Sequence, residues 1–216
     1  MHLPATPAPA WLIAAGLLFA SMPSPVVAEP MEDVDYVRIV PQPVVVPDKI
    51  EVIEFFYYGC DSCSRLEPRL QSWLKTLPQD TFFRRVPALR RTAWVPLTRL
   101  YFAIEELGEV ERLHTQVYLA VHEGGLNLGN STELNAWAQK SGLDSVKLVE
   151  TLDSDLVRAQ VQRARDATVA YGIYATPSFV VDGKYMTSGH MVGSLEALLH
   201  TVDGLIDKAR KERALR

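Results

Sequence analysis

Residues 51–58 (EVIEFFYY) constrain this chain more than any other stretch, because they are apolar on both faces of a strand. Side chains alternate along a strand, so Ile53, Phe55 and Tyr57 fall on one side and Val52, Glu54, Phe56 and Tyr58 on the other. A strand that needs cover on both sides belongs in the middle of a layered α/β sheet. Gly59 ends it. Leu66, Leu70, Trp73, Leu74 and Leu77 then recur at spacings of three and four, which predicts a helix, and Pro68 inside that pattern is expected to kink it. Residues 81–86 (TFFRRV) read as a second strand. Upstream, residues 38–48 (RIVPQPVVVPD) hold three prolines that exclude a helix or a central strand, so they read as an extended lead-in along a sheet edge.

The next seventy or so residues read as helix. Leu97, Leu100, Tyr101, Ile104 and Leu107 form one apolar stripe closed by Gly108, and a second helix runs to about His122. Ser131 is placed to cap a helix containing Leu134 and Trp137 and closed by Gly142, and more helix follows through Leu148, Leu152, Leu156 and Val161. Residues 178–181 and 185–187 flank Asp182 and Gly183 and read as a hairpin. The last helix starts near Ser194 and carries Leu195, Leu198, Leu199, Val202, Leu205 and Ile206. The order is βαβ, a helical block, then ββα. This divides the chain into an α/β part at 29–95, a helical insertion at 96–171 and a second α/β part at 172–216.

At 216 residues the chain is long enough for one domain carrying such an insertion, and a net charge of −4 with no long basic tract gives nucleic acid no footprint. Residues 1–28 read differently. The run WLIAAGLLFA at 11–20, followed by small residues up to Ala28, resembles a cleaved export signal, although no Lys or Arg precedes it. A membrane anchor is the rival reading. Ten or eleven apolar residues span only about 16 Å of helix, against a hydrocarbon core of about 30 Å. Export places the chain where thiols are oxidised.

The chain has two cysteines, Cys60 and Cys63, at the first strand-to-helix junction. Half of a zinc site is one reading, but there is no second cysteine pair, and His114 and His122 are too far along the sequence to complete a recognisable spacing. A structural disulfide closing so small a loop contributes only about 2 kcal/mol by loop entropy. A redox pair fits the position best, because unpaired N–H groups and the dipole of a helix N-terminus stabilise a thiolate.

KIEVIEFFYYGCDSCSRLEP, with YGIYATPSFVVDGKYMTSG far downstream, resembles the DsbA family of thiol–disulfide oxidoreductases. The resemblance implies a thioredoxin-like fold interrupted by an inserted helical domain. It implies that Cys60 is the attacking thiol and Cys63 the buried resolving thiol. It implies a cis peptide before Pro177, where the sequence alone suggests a strand-entry proline with a trans bond. It also places a buried acid at Glu54, whose burial would raise its pKa and fit it to take the proton of Cys63; a solvent-facing edge glutamate is the plainer alternative. Asp61 and Ser62 stand where the family usually has Pro-His, and Thr176 where Val or Ile is common. Losing the histidine and gaining a carboxylate should destabilise the Cys60 thiolate and weaken the enzyme as an oxidant, while Ser62 can return one hydrogen bond.

The expected substrates are reduced, unfolded exported proteins, the expected recycling partner is a quinone-linked membrane protein, and the expected form is a periplasmic monomer without cofactor or metal. Reductase or isomerase activity on the same fold, or chaperone-like peptide binding, remain open. Tyr57, Tyr58 and Met191 are either a substrate surface or core, and His190 is either near the site or a solvated loop residue.

Overall fold

The structure is a computed structural model that describes residue 2 and residues 29–215. The segment read as an export signal lies outside the described residues, apart from His2. Five strands form one mixed sheet in the order β1-β5-β4-β2-β3. They are β1 (Val37–Arg38), β2 (Ile50–Phe56), β3 (Thr81–Pro87), β4 (Ser178–Val181) and β5 (Tyr185–Ser188). β2 runs parallel to β3 and antiparallel to β4, and every residue of β2 is buried. The two-faced apolar pattern therefore does what it predicts. It ends two residues sooner than the sequence suggests, because Tyr57 and Tyr58 leave the strand to form the turn into the first helix.

Eight helices are described: α1 (Asp61–Leu74), α2 (Val95–Glu106), α3 (Val110–His122), α4 (Ser131–Lys140), α5 (Ser145–Leu152), α6 (Asp155–Ala170), the short α7 (Gly189–Val192) and α8 (Leu195–Ala214). One face of the sheet packs Ile50, Val52 and Phe179 against Leu66, Leu70 and Trp73 of α1 and Leu198, Val202 and Leu205 of α8. The other packs Ile53, Phe55 and Val180 under α2–α6 through Leu100, Ile104, Leu113, Val117 and Leu148. Each fully buried phenylalanine or leucine in these layers is worth roughly 1.5–3 kcal/mol of transfer free energy.

α1 runs from Asp61 to Leu74 with Pro68 inside it. Two local readings are corrected. Asn130, not Ser131, caps α4, its side chain accepting from the N–H groups of Thr132 and Glu133. The helical text around Leu152 is two helices, split at a Ser154 cap that accepts from Val157 N–H. The proline-rich lead-in pairs as a strand only at β1, then is tied to the hairpin turn by Ile39 N–H to Lys184 O and Gln42 N–H to Gly183 O, both 2.9 Å. Asp182 and Gly183 take φ of 54° and 64°, both left-handed, in the three-residue link 182–184 between the paired Val181 and Tyr185. No helix among the described residues is long and apolar enough to cross a membrane.

Candidate active site

β2 delivers the chain to the N-terminus of α1, and Cys60 occupies the N-cap with extended backbone (φ −93°, ψ 113°). Its sulfur accepts from Cys63 N–H at 3.3 Å and its thiol donates to the Thr176 carbonyl, also at 3.3 Å. The two cysteines are unbridged. The hydrogen bond from the Cys63 thiol is the largest influence on Cys60 and holds its pKa down, to about 6 from 9.0. Partial burial works against this, while the Thr176 side chain and the N–H groups of Cys63 and Ser62 add to it. The two thiols diverge sharply. Cys63 is 1% exposed, and burial, then Cys60, then Glu54 push its pKa well above the ordinary value.

Glu54 lies on β2 beneath the pair and is fully buried. Arg85 of β3 donates to it at 3.0 Å, and the same guanidinium approaches Glu67 of α1 at 3.4 Å. One cation thus serves two buried acids. Glu67 also accepts from Gln71 at 2.7 Å and from the Thr115 hydroxyl at 3.4 Å, with His114 Nε2 at 3.6 Å. Better supplied with donors, Glu67 is held below its usual pKa by His114 and Arg85 against the opposing effect of burial. Glu54 is left poised to gain or lose its proton near neutrality: burial pushes its pKa to about 7 from 4.5, Arg85 opposing and Glu67 adding. The solvent-facing alternative for Glu54 does not hold.

Asp61 has a partner that the sequence reading did not name, while Ser62 returns the one hydrogen bond expected of it. The Asp61 carboxylate pairs with Arg65 one turn on, and Arg65 also donates to the Ser62 hydroxyl at 3.3 Å. Ser62 assists the Cys60 sulfur through its backbone N–H rather than its hydroxyl. The Thr176–Pro177 peptide is cis and delivers the Thr176 carbonyl to Cys60. Tyr58 is core, at 1% exposure. Tyr57 is half-buried and stacks on Trp94 with ring centroids 4.0 Å apart and planes within 6°. Met191 packs partly buried against the same core cluster as Cys60, and His190 is exposed. Among the described residues no cluster of three or more His, Cys, Asp or Glu is placed to hold a metal.

Sequence reasoning missed Arg85, Glu67 and Arg65. Glu67 carried a readable signal: with Cys63, Leu66 and Leu70 it occupies the apolar stripe of α1, where a carboxylate demands a partner. Arg85 gave none, since a strand residue in TFFRRV can face either way.

A dithiol with one low-pKa and one buried sulfur, set at a helix N-terminus opposite a cis-proline on a mixed five-stranded sheet, defines a thiol–disulfide oxidoreductase of thioredoxin-like fold. The DSBA-like thioredoxin domain matches residues 83–200. The chain is 40% identical over 172 residues to the thiol:disulfide interchange protein DsbA of Bordetella parapertussis, covering 79% of this chain and 82% of that one. It is 34% identical over 170 residues to the DsbA of Pseudomonas aeruginosa, covering 79% and 81%. The crystal structure of Pseudomonas aeruginosa DsbA superposes with a TM-score of 0.81 at 32% identity, over 85% of this chain and 96% of that one. This chain belongs to the DsbA family.

Proposed function

We propose that this protein introduces disulfides into reduced, unfolded proteins in the periplasm, with Cys60 as the exchanging sulfur and Cys63 as the resolving one. A substrate thiolate attacks Cys60 of the oxidised enzyme, and Cys63 leaves as a thiolate. Glu54, whose pKa of about 7 leaves it partly protonated near neutrality, supplies the proton that Cys63 needs. A second substrate thiolate then attacks the substrate sulfur of the mixed disulfide. Cys60 departs as a thiolate, the substrate has lost two electrons and the enzyme dithiol has gained them. Thr176 and Pro177 border the exchanging sulfur, and Asp61 and Ser62 tune it. A quinone-linked membrane protein reoxidises the dithiol. Residues 1–28 serve as the cleaved export signal, the insertion at 96–171 divides the thioredoxin-like parts at 29–95 and 172–216, and the enzyme acts as a monomer.

The single observation that carries this reading is the opposed behaviour of the two sulfurs: Cys60 is held at about 6 while Cys63 is pushed up in the core. A stable Cys60 thiolate is a good leaving group and stabilises the dithiol, which makes the disulfide oxidising. The test is a pair of reduced variants offered an unfolded protein that carries an accessible disulfide, so that the enzyme thiolate has a sulfur–sulfur bond to attack and the displaced substrate sulfur leaves as a thiolate. Cys60→Ser should abolish turnover, whereas Cys63→Ser should accumulate mixed disulfides through Cys60. Trapping by Cys60→Ser instead would reverse the roles, and a glutathione equilibrium as reducing as that of thioredoxin would overturn the oxidase direction.

A further inference from the structure

Helix α3 reaches the active-site turn without contributing a reacting atom. His114, Tyr118 and His122 recur at intervals of four and so lie along one stripe of the helix. All three converge on Tyr58, just upstream of Cys60. His114 Nδ1 is 2.9 Å from the Tyr58 hydroxyl, and His122 Nε2 is 2.7 Å from the Tyr58 carbonyl oxygen. The Tyr118 ring meets the Tyr58 ring edge-on with centroids 5.1 Å apart. Tyr58 is therefore held at both ends, by its hydroxyl and by its main chain, from a helix of the insertion.

The chemistry fixes the direction of both bonds. A carbonyl only accepts, so His122 carries its proton on Nε2. His114 Nε2 faces the Glu67 carboxylate at 3.6 Å, where a lone pair would be repelled, so its proton sits on Nε2. Nδ1 is then the acceptor and the Tyr58 hydroxyl the donor. The pair does not gather round a metal: the two rings grip opposite ends of one tyrosine.

This grip works beside the stack of Tyr57 on Trp94, and it acts on the residue two before Cys60. Gly59 offers no side chain, and a Cβ there would meet the Tyr57 ring at 2.5 Å. Cys60 N–H donates to Tyr57 O at 2.9 Å, and the Cys60 sulfur must then meet Cys63 N–H at 3.3 Å. That contact weakens steeply with misalignment. We propose that His114 and His122 are positioning residues for disulfide exchange: by fixing Tyr58 they hold the turn in which the Cys60 thiolate meets the first N–H groups of α1. The helical insertion thereby sets the reactivity of a sulfur carried by the sheet. The proposal rests on Cys60 being the attacking thiol.

The test compares His122→Leu with His122→Gln, whose side-chain N–H can replace Nε2, and His114→Leu with His114→Asn, whose carbonyl can replace Nδ1. Thiolate absorbance titrations, the equilibrium with glutathione and thermal unfolding are measured on each reduced full chain. The leucine variants should raise the Cys60 pKa by about half a unit and shift the glutathione equilibrium about threefold toward a weaker oxidant. The amide variants should recover most of both shifts. A folded His122→Leu protein with the parent's thiol pKa and equilibrium overturns the proposal. So does a Gln variant as shifted as Leu, since the lost donor would then not be the cause. If His114→Leu does not fold, the half-buried His122 pair decides alone. A parent protein whose Cys60 titrates as an ordinary thiol would instead strike at the attacking role of Cys60, and with it at everything built on that role.

Discussion

The Asp61 carboxylate does not stand alone beside the thiol; it meets the guanidinium of Arg65. The sequence suggested an uncompensated negative charge between the cysteines, and the structure supplies a cation one helical turn away. Both side chains are about two-thirds exposed, at 63% for Arg65 and 66% for Asp61. Such a pair is worth roughly 0.2–1 kcal/mol. Its effect on Cys60 is therefore a matter of half a pKa unit or so rather than several. Arg65→Met should expose the carboxylate, raise the Cys60 pKa and weaken the oxidant. Asp61→Asn leaves an unopposed cation and should shift both the other way, with the double variant close to the parent. Both single effects should shrink at high salt. Thiolate titrations at low salt check this, and an Arg65→Met protein with an unmoved Cys60 would refute the compensation.

At the scale of elements, the hairpin β4–β5 shows how tightly a turn can be specified. Gly183 has φ of +64°, and a Cβ there would lie 2.3 Å from the Gln42 carbonyl oxygen of the lead-in. Gly183→Ala should cost at least about 1–2 kcal/mol from the backbone alone, with the clash adding to it. The urea midpoint measures the loss, and a drop below about 0.5 kcal/mol would show that the lead-in simply moves aside. The hairpin was legible from Asp182 and Gly183, as β2 was from its two apolar faces and the thiol pair from its place after Gly59. Those signals are local in the chain. The cluster around Glu54 was only half legible, because Arg85 and His114 reach it through packing of β3 and α3 that no local pattern encodes. His114 and His122 were weighed as metal ligands, the commonest reason to notice a histidine, and their contact with Tyr58 depends on how α3 docks. Helix boundaries slipped where capping decided them, as at Asn130 and Ser154.

At the scale of the whole molecule, two of the shifted groups, Cys60 and Glu54, make stability depend on pH in opposite senses. Cys60 is depressed from 9.0 to about 6. Its thiolate therefore stabilises the folded dithiol fully above pH 9, and that contribution is lost as pH falls through 6, by up to about 4 kcal/mol and less for a partly exposed thiol. The disulfide form has no such term. Glu54 is raised from 4.5 to about 7, so it lowers stability as pH climbs across that interval, by up to about 3 kcal/mol. Urea unfolding of both redox forms should show the reduced-minus-oxidised difference growing from pH 6 to 9, and Glu54→Gln should flatten the fall between 4.5 and 7 in the reduced protein. A difference that stays constant from pH 6 to 9 would exclude a stabilised thiolate. A separate consequence follows from the contact between Cys60 and Thr176, which spans 116 positions of sequence. A chain is synthesised from its N-terminus, so the two cysteines emerge well before the segment that completes their surroundings. Until residue 176 and the hairpin after it have arrived and packed, Cys60 lacks the Thr176 contact and β2 lacks the neighbour that β4 becomes. The surroundings of Cys60 are thus completed late in synthesis, and a chain interrupted before residue 176 lacks both the carbonyl that accepts from Cys60 and the β4 neighbour of β2.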